Sequence, residues 1–265
     1  MSPDFGCNYN ITEGKACGII GGGGVQMALP FHQHLFPPAK KIIREFDMLR
    51  NGDHVAVGVS GGKDSLVALY TLVQLQRMLP VEFSITAVSI DMGWPQGDWS
   101  AIEELCQSYQ IPFKLVRSQI AQVLFEIRQE SNPCSLCAKM RHGLLNDTAK
   151  ELGCNVVALG HHSDDAIETV FLNMFYAGRI ACFKPVTHLD RVGLRMIRPL
   201  LYVTEKTTTR VARKLELPVQ NNPCPANGAT KRQRIKELLA EQSRGDKAMP
   251  KRLLAAVKTL WENPT

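Results

Sequence analysis

The chain has 265 residues and lacks an uninterrupted apolar run of about 18 residues, the length that a membrane-spanning helix requires. Its most apolar N-terminal stretch, CGIIGGGGVQMALP, is broken by glycines and follows two acidic residues, whereas a signal peptide begins with Lys or Arg. These absences predict a soluble, cytoplasmic protein that does not associate with a membrane.

Cysteine is too sparse for a disulfide-bonded scaffold, since only eight occur. Eight are nevertheless many for a cytoplasmic chain of this size, which favours metal or redox chemistry. A zinc site formed by Cys7, Cys17, His32 and His34 is conceivable, but the spacing matches no zinc site we know and favours a loop. Three cysteines have apolar neighbours and are predicted to be core thiols: Cys106, Cys154 and Cys182.

Positive charge is scarce in the first two thirds of the chain. Residues 1–183 contain 14 Lys and Arg against 18 Asp and Glu, whereas residues 184–265 contain 17 against 7. The basic residues of the C-terminal third fall in two stretches with helical patterns, and a solvated helix face would explain either one alone. Together they favour a polyanionic partner, RNA. The candidate RNA contacts are Arg210, Arg213, Lys231, Arg232 and Arg234.

Strands and helices alternate after a helix predicted over residues 39–53. Strands are predicted at 55–59, 83–94, 112–118 and 154–162, and helices at 64–73, 99–110, 137–153 and 164–180. This alternation predicts an α/β fold with a doubly wound, mostly parallel sheet and a small basic helical C-terminal region. We expect an N-terminal arm over 1–37, flexible or metal-binding, a nucleotide-binding domain over 38–200, and an RNA-binding region over 201–265.

A glycine loop, SGGKDS, lies between the first strand and its helix. It fails as a P-loop, because Gly58 is one residue too close to the Gly-Lys pair and Asp64 replaces the required Ser or Thr. Free N–H groups at the helix start, Lys63 and the hydroxyls of Ser60 and Ser65 nevertheless suit an anion. The loop could also be a plain turn between strand and helix.

A second motif, GHHSDD, lies at residues 160–165 at the end of the fourth predicted strand. Ser163, Asp164 and Asp165 all favour a helix N-terminus, and helix capping alone could explain them. Two acids beside two histidines also suit Mg²⁺ and acid–base chemistry. In parallel sheets ligands bind at the carboxyl ends of strands, which here are residues 60–65, 89–94 and 160–165.

A Cys-x-x-Cys pair lies at the start of a predicted helix, where Cys134 and Cys137 share one face. A third candidate, Cys224, lies in the Pro- and Asn-rich stretch NNPCPANG. The pair alone could be a redox centre, half of a zinc site with His142 as a further ligand, or part of a cluster. No thioredoxin-like context accompanies it.

Taken together, these motifs resemble those of the PP-loop ATP pyrophosphatase superfamily. Over residues 40–245 the resemblance is to tRNA 2-thiocytidine synthetases, and it rests on SGGKDS, CSLCAKMRHG, ALGHHSDDAIETVFLNMFYAGRI, IRPLLYVTE, NNPCP and KRQRIKELL. The related 2-thiouridine enzymes usually carry terminal zinc fingers with Cys-x-x-Cys pairs, whereas this chain has one such pair. The segment around Cys7 and Cys17 has no counterpart in the resemblance.

The resemblance implies that ATP, with Mg²⁺ at Asp64 and Asp165, adenylates the C2 oxygen of an anticodon-loop cytidine, and that sulfur then replaces this oxygen. The implied catalytic residues are Lys63, Asp165 and Arg141, with Lys139 as a further contact to AMP or RNA. The implied ATP-binding residues are Ser60, Gly61, Gly62, Lys63, Asp64, Ser65, Ser89, Asp91, Gly160 and Asp164.

The resemblance also implies a [4Fe–4S] cluster held by Cys134, Cys137 and Cys224, with one iron open to bind sulfide. The implied partners are tRNA, through its anticodon loop, and a sulfur donor such as a cysteine desulfurase or free sulfide; a homodimer is expected only by analogy. Two other hypotheses stay open. One is another adenylating enzyme, a 2-thiouridine synthetase or a lysidine-type ligase, and the other is a non-catalytic iron–sulfur sensor that binds ATP and tRNA.

Overall fold

The structure is a computed structural model that describes residues 31–94, 97–128, 133–221, 223–225 and 230–262. The predictions for Cys7, Cys17 and most of the N-terminal arm lie outside these residues. None of the helices in the described ranges is both long and apolar enough to cross a membrane.

A six-stranded sheet forms the centre of the fold, with the strand order β3-β2-β1-β4-β6-β5. All neighbouring strands are parallel except β5 and β6, which pair as an antiparallel hairpin at one edge. The predicted α/β class with a mostly parallel sheet is therefore confirmed. The strands are β1 (Asp53–Gly58), β2 (Phe83–Asp91), β3 (Phe113–Arg117), β4 (Val156–Ala158), β5 (Val186–Leu189) and β6 (Leu194–Ile197).

Helices cover both faces of this sheet. In the described ranges they are α1 (His32–Glu45), α2 (Lys63–Leu75), α3 (Ser100–Ser108), α4 (Ile120–Gln122), α5 (Pro133–Glu151), α6 (Ser163–Ala177), α7 (Glu205–Lys214), α8 (Lys231–Ser243) and α9 (Met249–Glu262). A π-helical segment, Val123–Ile127, follows α4 directly.

The side chains of successive strand residues pack into two separate hydrophobic cores, one on each face of the sheet. Val55 and Val57 of β1 pack with α1, α2, α3, α6, α7 and α9 on one face. Ala56 lies between them and faces α4 and α5 on the other. This period of two, with apolar side chains on both faces, explains why the central strands are continuous apolar runs in the sequence.

Two elements differ from the sequence-based prediction. Helix α1 begins at His32 rather than at Ala39, although it contains Pro37 and Pro38, because Leu35 and Phe36 are buried in the core. Proline normally breaks a helix, and here tertiary burial outweighs that tendency. The β5–β6 hairpin was not predicted, since each of its strands has only four residues.

Candidate functional site

The glycine loop turns the chain from the end of β1 into the first turn of α2. Gly61 has φ +79°, a conformation that other residues rarely adopt. The Ser65 hydroxyl accepts from the Ser60 amide at 3.0 Å and donates to the Gly62 carbonyl at 2.8 Å. These bonds shape the loop so that the start of α2 lies open at the sheet edge, as an anion site requires.

Lys63 lies among carboxylates. Its Nζ is 2.8 Å from Asp64 Oδ2 and 3.1 Å from Glu205 Oε1, and Lys236 Nζ is 2.6 Å from that same Glu205 oxygen. Burial alone would lower the pKa of Lys63, but Asp64 and Glu205 outweigh burial and raise that pKa. The side chain therefore carries a positive charge. Thr208 Oγ1 donates to Asp64 Oδ1 at 2.5 Å.

Sequence reasoning missed Glu205, Thr208 and Lys236 as site residues. Glu205 and Lys236 occur in IRPLLYVTE and KRQRIKELL, two stretches that carried the resemblance without a role for either residue. Their sequence separation from Lys63 gave no sign that α7 and α8 reach the glycine loop.

The second motif begins α6, and its first acids act as helix caps. His162 is the N-cap residue: its Nδ1 accepts from the Asp165 amide at 3.3 Å, while Asp165 Oδ2 accepts from the His162 amide at 3.0 Å. Asp164 Oδ2 accepts from the Ser163 hydroxyl at 2.9 Å and the Glu205 amide at 2.8 Å. Capping therefore explains part of the motif, with His162 rather than Ser163 as the cap residue.

Capping does not account for how these acids group around a buried histidine. His162 Nε2 lies 3.7 Å from Asp64 Oδ1, and His162 Nδ1 lies 3.7 Å from Asp164 Oδ2 and 3.5 Å from Asp165 Oδ2. Within the described ranges, no three His, Cys, Asp or Glu side chains are grouped so that they could hold one metal ion. A Mg²⁺ ion at Asp64 and Asp165 therefore stays a prediction.

The two motifs are in direct contact. A Cβ atom on Gly160 would lie 2.6 Å from the Asp64 carbonyl oxygen and 2.8 Å from the Ser65 amide nitrogen. Only glycine fits there, so the end of β4 is pressed against the first turn of α2. The sequence placed both motifs at the same sheet edge, and the structure confirms that placement.

A cavity of about 370 Å³ opens between the two motifs and α5. Its lining includes Ser60, Asp64, Gly160 and Asp165 from the motifs and Arg141 from α5. On β2, Val88 and Ile90 face this cavity. Ser89 points the other way and donates to the Val59 carbonyl, and Asp91 accepts from the Gly93 amide. Successive strand side chains alternate in direction, so neither residue lines the cavity, and their role as ATP contacts stays a prediction.

Two histidines that line the cavity are held neutral. Burial lowers the pKa of His161 to about 4, and burial with the charges of Arg141 and Arg198 lowers the pKa of His142. The His161 ring packs against Phe183 at a tilt of 32°, with 4.9 Å between ring centroids, and its Nδ1 is buried with no hydrogen-bond partner in the described part of the chain.

Of the three candidate cluster cysteines, Cys137 lies close enough to the other two for their charges to affect its pKa. Burial raises the pKa of Cys137, and charges on Cys224 and Cys134 raise it further, while Arg141 lowers it. Cys134 is exposed, and Cys137 and Cys224 are half-buried. The first turn of α5 thus presents two thiols near the third, next to the cavity.

The remaining described cysteines behave differently. Cys106 and Cys154 are buried, and burial raises their pKa values to about 12 and about 11. Burial likewise raises the pKa of the half-buried Cys182 to about 11. As predicted, Cys106 and Cys154 are core thiols, one in each of the two cores, and Cys182 packs against the core that contains Cys106.

The predicted RNA contacts fall into two groups. Arg210 and Arg213 on α7, and Lys231 and Arg234 on α8, are exposed. Lys231 Nζ lies over the Tyr176 ring, 4.5 Å from its centroid. Arg232 instead turns toward α6, where its Nη1 lies 3.0 Å from Glu168 Oε2.

Comparisons with known proteins agree with this geometry. The model of the PP-loop domain family matches residues 35–243. A tRNA-cytidine(32) 2-sulfurtransferase of Pelobacter propionicus is 39% identical over 216 residues, which cover 80% of each chain. One of Citrifermentans bemidjiense is 37% identical over 223 residues, which cover 83% of this chain and 88% of the relative.

A solved structure is also similar. The U34-tRNA thiolase NcsA from Methanococcus maripaludis, solved with its [4Fe–4S] cluster, superposes with a TM-score of 0.71 at 25% identity, over 89% of this chain and 80% of that one. The chain therefore belongs to the PP-loop family and, within it, to the group of tRNA-cytidine 2-sulfurtransferases.

Proposed function

We propose that the protein thiolates tRNA in two steps, adenylation of the C2 oxygen of an anticodon-loop cytidine and its replacement by sulfur to give 2-thiocytidine. The observation that carries this proposal is the shared cavity. It joins Ser60 and Asp64 of the glycine loop to Asp165 of the second motif and to Arg141, which lies on the same helix as Cys134 and Cys137. The helix that carries the Cys-x-x-Cys pair therefore lines the same cavity as the two motifs.

The adenylation step uses residues that the structure groups at the start of α2. The C2 oxygen attacks the α-phosphate of ATP, and the bond to pyrophosphate breaks. The loop amides and the cationic Lys63 stabilise the charge that develops on pyrophosphate as it leaves. Asp64 and Asp165 are the carboxylates suited to Mg²⁺, which would neutralise phosphate charge.

The sulfur step needs a nucleophile beside the activated base. Hydrosulfide adds at C2, loses its proton, and AMP departs with the former C2 oxygen, so that the product carries a C=S group. Asp165 lines the cavity and is placed to accept the proton. Arg141 faces the same space and is suited to contact AMP.

The residues present fit an iron–sulfur cluster. The charges of Cys134 and Cys224 both act on Cys137, and these three thiols would hold the cluster. Such a cluster, held by three thiolates, would supply sulfide at its open iron. The solved relative with a [4Fe–4S] cluster supports this assignment.

The tRNA substrate is supported by the names of the relatives and by the exposed basic residues of α7 and α8. A target base in an anticodon loop must be splayed out to enter the cavity, as is usual for single-stranded RNA. Free sulfide completes the reaction, as does sulfide released when a thiol reductant reduces the persulfide of a cysteine desulfurase.

Pyrophosphate release tests this function. Anaerobically purified protein is given ATP, unmodified tRNA and sulfide, and each component is omitted in turn. We expect pyrophosphate only when tRNA is present, since the base is the nucleophile. A protein that binds ATP and tRNA but releases no pyrophosphate would be a sensor rather than an enzyme.

A further inference from the structure

Arg232 lies in the most basic stretch of the chain, and its side chain is 42% exposed, but its guanidinium contacts α6. Its Nη1 lies 3.0 Å from Glu168 Oε2 and 3.6 Å from Asp165 Oδ1, and Nη2 lies 3.2 Å from Thr169 Oγ1. Lys231 and Arg234, on either side, are exposed. The guanidinium therefore connects the first turn of α8 to the first two turns of α6.

Glu168 explains why a cation is needed at this place. Its side chain is only 6% exposed, and a buried carboxylate is costly unless a positive charge neutralises it. Burial raises the pKa of Glu168, and Arg232 opposes that effect through a hydrogen bond and its charge. Arg232 is therefore the main counter-ion of a buried acid that lies three residues after Asp165.

The bridge also bears on Cys224, through the path of the chain. Before Cys224, the Gln220 amide donates to the Gly61 carbonyl at 2.9 Å, which ties the chain to the glycine loop. After Cys224, Thr230 caps α8 by accepting from the Gln233 amide at 3.2 Å, and Arg232 lies in the first turn. The chain is thus anchored on the site both before and after Cys224.

We propose that Arg232 is a positioning residue and not an RNA contact: by neutralising Glu168 it holds α8 against α6 and so fixes both Asp165 and the approach of Cys224 to Cys137. The inference rests on the proposed function in one respect, that the three thiols serve a cluster. It corrects the sequence-based interpretation, which grouped Arg232 with Arg234.

Four variants test the proposal: Arg232→Gln, Arg232→Lys, Arg234→Gln and the double variant Arg232→Gln/Glu168→Gln. We expect Arg232→Gln to lose most of its iron and its kcat to fall at least about tenfold. When both proteins are prepared without the cluster, the variant should bind tRNA with an affinity within about twofold of wild type. Arg232→Lys keeps the charge and should regain much of the iron. Arg234→Gln should show the reverse pattern, with a normal iron content and weaker tRNA binding. The slope of log tRNA affinity against log salt concentration should be smaller by about 1 in this variant.

The double variant provides a measurement that is independent of iron and of activity. Without Arg232 the Glu168 charge is buried alone, so removing that charge should recover stability, and the double variant should unfold at higher urea than Arg232→Gln. Full iron in Arg232→Gln together with a tRNA affinity about tenfold weaker would overturn the proposal. If the wild-type chain bound no iron, the proposed function would fail by itself. In that case, recovery of stability in the double variant would still support the Arg232–Glu168 ion pair. Stability losses that simply add in the double variant would refute it.

Discussion

Gly160 lies against the backbone of Asp64 so closely that a Cβ atom on residue 160 would be 2.6 Å from the Asp64 carbonyl oxygen. Because this contact is between backbone and backbone, no side chain can move to relieve it. The contact sets the distance between the glycine loop and the acids of α6, and therefore the width of the cavity that both line.

We predict that Gly160→Ala separates the two motifs and weakens ATP binding by at least about tenfold while the protein stays folded. Isothermal titration with ATP and Mg²⁺, beside a thermal melt, measures both effects. Gly143→Ala is the matched control, because nothing lies within 4 Å of that position on α5 and alanine favours a helix. An ATP affinity in Gly160→Ala equal to that of the control would show that the contact does not set the site.

Glu205 should stabilise the fold in a pH-dependent way. Burial alone would raise its pKa, but Lys236 and Lys63 outweigh burial and lower the pKa from 4.5 to about 2. Because the folded pKa lies below the unfolded one, this stabilisation is present above about pH 4.5 and is lost as the pH falls toward about 2.

We therefore expect Glu205→Gln to lower the free energy of unfolding at pH 7 by about 1 to 2 kcal/mol. The difference from wild type should shrink between pH 4.5 and pH 2, as measured by urea unfolding across that range. As a control, Glu241→Gln at an exposed position of α8 should change stability by less than about 0.5 kcal/mol. If the difference in free energy of unfolding between Glu205→Gln and wild type did not change with pH, the ion-pair account would be contradicted.

Cys224→Ser should lose the cluster and sulfur transfer while keeping the fold, since Cys224 is half-buried and lies outside the cores. Iron and acid-labile sulfide analysis after anaerobic purification provides the test. Wild type should hold about four irons per chain, and Cys182→Ala should hold as many, because Cys182 packs against the core. Intact iron and full activity in Cys224→Ser would remove Cys224 from the site.

His161 should stay neutral over the whole range in which the enzyme is assayed. Its pKa is lowered to about 4 by burial, so the imidazole gains a proton only in acid. Nitrogen-15 histidine NMR between pH 5 and 8, with a His161→Gln variant to assign the signal, should show no titration of this ring. A midpoint near the ordinary value of 6.5 would mean that the cavity admits more water than the structure indicates.

The pattern of apolar residues along the sequence predicted the strands that are buried on both faces of the sheet. The runs around Val55 and Ile85 are buried on both faces, so their strands were readable, and the strand ends carried the motifs. Helix α1 was predicted too short because Pro37 suggests a break, and only the tertiary burial of Phe36 overrides it. The strands of the edge hairpin β5–β6 are too short to show a recognisable alternation of apolar and polar residues in the sequence.

The site was predictable where side chains sit within a motif and not where distant helices meet it. Lys63 and Asp165 were identified from their neighbours, whereas Lys236 reaches Glu205, the first residue of α7, only because α8 packs against α6. Ser89 does not line the cavity for a related reason, since the direction of its side chain depends on which face of β2 the cavity uses. Side-chain direction on a doubly buried strand cannot be read from an apolar run.

The product of the reaction tests the central claim most directly. Protein purified without oxygen is incubated with ATP, Mg²⁺, sulfide and tRNA from a strain that lacks the corresponding gene, and the digested nucleosides are analysed by mass spectrometry. Our account predicts 2-thiocytidine, formed only with ATP and lost in Lys63→Ala. Formation of 2-thiouridine or lysidine, or an unmodified tRNA despite a full cluster, would contradict it.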